Sequence, residues 1–231
     1  MRALLRTALV ALFIFPLVGA ASAAVIFDNG PPGGGTVADS DFTRPGQWAD
    51  DFLLSAALGT TITDVHWWGI YNREPLGAPL PTDDFTVRIF ASAGGSPPAP
   101  QTTPLYEVHL GSVSRTDTGT LLFDTYRVFE YDAFVSPISL SAGTRYWLSI
   151  VNNTTITNYW QWPMANSSSS TGNSATRFED DDPWTSVIPF YESAFRLTGD
   201  THVVPELASL AVWLVGLACG AWYLRAQFSA A

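Results

Sequence analysis

Three histidines, His66, His109 and His202, are the first residues to weigh for acid–base or metal chemistry. None stands in a His-Glu-x-x-His spacing, and no Gly-x-Ser-x-Gly elbow is present to raise a serine nucleophile. His66 and His109 fall within strand-like runs, which predicts hydrogen-bonded wall residues; His202 falls in a linker. Carboxylates are more plentiful. Glu179, Asp180, Asp181 and Asp182 form a run, and Asp50-Asp51 and Asp83-Asp84 add two pairs. Calcium takes about six to eight oxygens, commonly from loops that join strands, so the run is the candidate calcium site. It lacks the spaced Asp-x-Asp-x-Asp-Gly pattern, and a solvated acidic loop is the competing account, the favoured one. A glycoside hydrolase would need two carboxyl groups roughly 5–10 Å apart. Sequence gives no distances from which to argue such a pair, so no catalytic residue is assigned and a secreted hydrolase ranks third among the functions.

Aromatic side chains supply a second kind of chemistry. Trp160 and Trp162 are two apart, so a strand presents both on one face, with Tyr159 and Gln161 opposite. Trp184 lies nearby in sequence. Exposed indoles in a row can stack sugar rings by apolar contact, which makes Tyr159, Trp160, Trp162 and Trp184 candidate carbohydrate-binding residues. Equally, large aromatics can fill a core. Exposure of Trp160 and Trp162 separates the two accounts, and burial of both removes the sugar platform.

The elements that position these residues read as strands. Alternation and turn-forming clusters predict strands at 51–55, 61–71, 84–90, 105–113, 126–134, 146–151, 159–162 and 193–198. Phe85, Val87 and Ile89 share one face, as do Tyr146, Leu148 and Ile150; Trp67 and Trp68 must point oppositely. Residues 29–35 (NGPPGGG), 94–104 and the serine-rich 166–176 read as loops. Eight or nine short strands predict an all-β, antiparallel two-sheet sandwich of jelly-roll type. Of 231 residues, 47% are apolar and 13% aromatic, enough for one packed domain. The net charge of −10, with no basic cluster, argues against nucleic acid as a partner.

Both ends differ from the middle. Arg2 and Arg6, an apolar run from Ala8 to Ala20 and Ala21-Ser22-Ala23 read as a signal peptide over residues 1–24. Leu207 to Leu224 carries no charge and is long enough, at about 27 Å of helix, to cross a membrane. Trp222 and Tyr223 suit the interface, and Arg225 satisfies the positive-inside rule. The organisation expected is therefore a signal peptide (1–24), an exported sandwich (25–200), a juxtamembrane motif (201–206), a transmembrane helix (207–225) and a cytoplasmic tail (226–231). The one cysteine, Cys219, falls in the span, so the exported domain must stand without disulfides.

Val204-Pro205-Glu206 before that span and its Arg stop resembles the PEP-CTERM sorting signal of bacterial surface proteins. That resemblance implies an exosortase-like protease as a partner, acting near the motif. Leu207 stands where such a motif has a second proline, and one Arg stands for a basic cluster. The phrases 49–52 (ADDF), 65–69 (VHWWG), 83–89 (DDFTVRI), 140–150 (LSAGTRYWLSI) and 160–162 (WQW) resemble a recurrent module of such proteins. This second resemblance implies a secreted β-sandwich of unestablished molecular function. The leading expectation is a non-catalytic cell-envelope or extracellular-matrix protein, membrane-held or released, whose acidic surface meets polysaccharide or ions. The alternative is a carbohydrate-binding module at the cell surface.

Overall fold

A computed structural model describes residues 23–200 apart from 73–79, 156, 167–171 and 190. Residues 1–22 of the expected signal peptide, the Val204-Pro205-Glu206 motif and the apolar span expected to cross a membrane all lie outside these residues. Among the described residues no helix is long and apolar enough to cross a membrane.

Among the described residues, fourteen strands make two seven-stranded sheets, and every pairing between these strands is antiparallel. The first sheet centres on β4 (Thr61–Tyr71). One edge of β4 pairs with β9 (Tyr126–Ser139), which carries β8 (Arg115–Leu122) beyond it. The other edge pairs with β14 (Phe195–Asp200) and then, at its C-terminal end, with β11 (Trp160–Ala165). β1 (Ala23–Asp28) extends β14, and β2 (Pro32–Asp39) extends β11. The second sheet runs β13 (Ser186–Pro189), β12 (Asn173–Arg177), β3 (Gln47–Leu53), β10 (Arg145–Val151) and β5 (Phe85–Gly94). β7 (Tyr106–Gly111) and the two-residue β6 (Ala99–Pro100) pair with the far edge of β5. The chain passes repeatedly from one sheet to the other, so the expected sandwich is the observed one.

The faces follow from strand alternation. Val65, Trp67 and Tyr71 point between the sheets with Phe85, Val87, Ile89, Leu148 and Ile150. Trp68 and Ile70 point outward into a smaller cluster with Leu122, Val128 and Ala194. Ile62 joins the inner face although its parity differs from Val65, because the register of β4 on β9 shifts between Ile62 and Asp64. A third cluster, Ala49, Phe90, Trp147 and Ala175 with Trp184 against it, covers the outer face of the second sheet.

Some sequence expectations need correction. Residues 32–35 are strand, not loop, and β2 continues to Asp39. Residues 173–176 also belong to a strand, β12, whose ladder with β3 runs from Ser174 opposite Asp50 to Arg177 opposite Gln47. Both segments are rich in Gly, Ser and Thr and lack apolar alternation, so pairing partners impose the extended backbone that side-chain patterning does not announce.

Candidate functional site

Strand β11 places Trp160 and Trp162 on the inner face, both at 0% exposure, and Tyr159 is 3% exposed. Trp160 packs edge-on to Phe85 at 5.3 Å, and Trp162 lies 5.9 Å from Phe195. The Trp162 indole N–H donates to the Ala194 carbonyl at 3.0 Å. Trp67 stacks on Tyr131 in the same interior (5.4 Å, 8°). Neither indole of the Trp160–Trp162 pair can reach a sugar ring, and the platform drawn on them is corrected to core. The physical reason is scale: two facing sheets about 10 Å apart with no disulfide are filled most readily by indoles. Trp184 alone of the four is part-exposed; it lines a shallow groove of about 400 Å³ with Gln101, Thr102, Thr103 and Pro183. Its indole N–H donates to the Gln101 carbonyl at 3.0 Å, and the Arg177 guanidinium sits 4.7 Å from its ring.

The acidic run follows β12 as a turn. The Glu179 amide donates to the Asp182 carboxylate at 3.1 Å. Asp180 is committed to protein cations, with Arg88 at 2.9 Å and Arg177 at 3.6 Å, and accepts from the Gln47 amide at 2.6 Å. Its carboxylate neutralises two guanidiniums held side by side on the outer face of the second sheet; burial and the neighbouring Arg88 charge lower the pKa of Arg177. As a calcium site the run therefore starts with one of its four carboxylates already paired twice. The histidines are wall residues: His66 pairs with Asp64 at 3.1 Å and the exposed His109 with Asp84 at 3.2 Å. His202 lies outside the described residues.

The structure gathers carboxylates at three other places. Asp41, fully buried after β2, accepts five hydrogen bonds: from the amide and hydroxyl of Thr43, the amide and hydroxyl of Thr154, and the Trp160 amide, at 2.5–3.3 Å. Asp83 accepts from the Tyr71 hydroxyl and, at 2.9 Å, from Asn152, with Arg115 3.3 Å away. Burial raises the Asp83 carboxyl and holds Tyr71 and Tyr131 protonated far above the ordinary phenol range. Both are closed polar networks in which each carboxylate meets its donors.

The third place is different. Adjacent residues of β3, Asp50 and Asp51, meet Glu192, which precedes β14, and one carboxylate oxygen of each lies within 4.8 Å of the others. All three are buried. Asp51 is balanced: the Arg145 guanidinium pairs with it, and Asn173 donates through its amide (2.9 Å) and side chain (3.2 Å). Glu192 accepts from the Asn29 side chain at 3.3 Å. Asp50 faces the interior; its Oδ2 accepts from the Ser193 amide, but its Oδ1 has no donor. Desolvation, then the Glu192 charge, raises the Asp50 carboxyl well above the ordinary range. Sequence reading noted the Asp50-Asp51 pair but not Glu192, which chain folding alone brings to it.

Fold and cluster together define an antiparallel sandwich with a carboxylate-lined seam between its sheets. A family model for a domain of unknown function, DUF7901, matches residues 29–199, and the chain belongs to that family. No curated protein matches the chain.

Proposed function

We propose that this is a non-catalytic protein exported to the cell envelope or extracellular matrix, with the sandwich as its displayed domain and the C-terminal segment as a PEP-CTERM-like sorting signal. The observation that carries the reading is the order Val204-Pro205-Glu206, an uncharged Leu207–Leu224 and Arg225. The N-terminal basic–apolar–small pattern supports export, and an acidic, cysteine-free domain suits that address. The membrane and an exosortase-like protease are its partners in this account. Replacing Pro205 and Glu206 with alanine tests it: the double variant should accumulate in the membrane fraction while the parent reaches the surface. Equal partition of the two proteins would contradict a sorting role for the motif.

A second reading, contact with polysaccharide, draws support from Trp184 in its groove. Trp184→Ala should weaken retention on acidic or neutral polysaccharide several-fold in affinity electrophoresis if that contact exists. Unchanged mobility would remove it.

A further inference from the structure

We propose that Asp50, Asp51 and Glu192 form a divalent-cation site of the calcium class, one that ties the two sheets of the sandwich together. The donor set is all carboxylate oxygen, which favours a hard cation over zinc or copper. Three oxygens mutually within 4.8 Å can share one ion at the roughly 2.3–2.6 Å typical of calcium–oxygen contacts.

Proximity alone would not single out this cluster; the fully buried Asp50 Oδ1 does. Asp41 meets five donors of the protein and Asp83 a tyrosine, an asparagine and an arginine. The buried Asp64 also leaves its Oδ1 without a donor, but its other oxygen is paired with His66 and it belongs to no three-carboxylate cluster among the described residues. Asp50 receives the Ser193 amide on Oδ2 and also interacts with the Ser193 hydroxyl and the Glu192 carboxyl, yet its Oδ1 has no donor, and among the described residues no cationic side chain pairs with it. A buried charged oxygen without a partner costs several kcal/mol on the usual scale, so either a proton or a cation must meet it. A cation meets it together with the facing Glu192.

Position gives the ion a task. Asp50 and Asp51 stand on β3 of the second sheet. The Glu192 backbone is fixed to the first sheet, its carbonyl accepting from the Ala165 amide of β11 at 2.7 Å. Gly172 closes on the Glu192 carboxylate so tightly that a Cβ there would overlap it. An ion bridging β3 and Glu192 would act where a secreted domain often carries a disulfide, and this domain has no cysteine.

The test uses the full chain in mild detergent, stripped with a chelator and titrated with calcium chloride by calorimetry and thermal melting. One calcium should bind per chain, and a hundredfold excess over Kd should raise Tm by about 5–10 °C. Asp50→Asn and Glu192→Gln should each weaken binding at least tenfold, while Asp181→Asn in the exposed run should leave it unchanged. Absence of heat and of any Tm shift with calcium or magnesium would overturn the site, leaving a proton shared between Asp50 and Glu192. Undiminished binding by folded Asp50→Asn would also overturn it. Should both variants fail to fold, terbium decides on the parent protein. Trp48, whose indole N–H donates to the Ser193 hydroxyl at 3.1 Å, should sensitise the ion's emission, and calcium should quench it. No sensitised emission, or emission unchanged in Trp48→Phe, would count against the site.

Discussion

His66 and Trp160 show how single side chains in this sandwich are set by their neighbours. The Asp64 carboxylate beside His66 raises the imidazole pKa above its ordinary value, with Asp132 adding to the effect while burial and Arg196 oppose it. Below the unfolded value, about 6.5, both folded and unfolded chains carry the proton and the pair contributes fully. As pH rises through the higher folded value, that contribution is lost. His66→Gln should therefore lower Tm most at pH 5.5 and least at pH 8; an equal loss at both would remove the ion-pair account. The two core indoles differ in a measurable way. Trp162 donates to Ala194, whereas the Trp160 N–H has no acceptor. Trp162→Phe removes a buried hydrogen bond and leaves the Ala194 carbonyl with the Trp68 amide alone, while Trp160→Phe deletes an unmet donor. Trp162→Phe should thus be the more destabilising by about 1–2 kcal/mol in urea denaturation. Residue types made these tryptophans conspicuous in the sequence, but not their burial: a two-residue spacing fixes a common face and leaves open whether that face meets solvent or the other sheet.

Elements were legible where alternation was strong. β4 begins and ends at the residues its apolar pattern marks, and the inner faces of β5 and β10 are the ones that Phe85, Val87, Ile89, Leu148 and Ile150 define. β8, with RTDTGTLL, and β12, with NSATR, carried no such pattern and were missed. Their extended backbone is dictated by pairing with β9 and β3, information held in the partner strands. Close strand crossings add a constraint that sequence only hints at. A Cβ at Gly69 of β4 would fall within 3.0 Å of the Trp160 indole on the neighbouring β11. Gly69→Ala should cost about 1–3 kcal/mol through forced repacking, read as a lower urea midpoint at unchanged slope. A neutral substitution would mean that β11 can shift away from β4.

At the scale of the whole molecule, the described sandwich and the terminal segments answer different questions. The fold explains how the 36 buried hydrophobic side chains among the described residues stand without a disulfide, in a domain that belongs to DUF7901. The proposed destination rests on the ends, on composition and order rather than packing: Arg2 and Arg6 before an apolar run, and Val204-Pro205-Glu206 before another. The carboxylate seam was half legible, since Asp50-Asp51 was visible as a pair while Glu192 joins it only through the path of the chain into β14. The most direct test of the exported, sorted protein proposed above is the intact mass of the chain recovered separately from membrane and extracellular fractions. The account predicts an N-terminus near residue 24 and, in the surface or released form, a C-terminus near Pro205–Glu206. A chain retaining both Met1 and Ala231 in every fraction would contradict it.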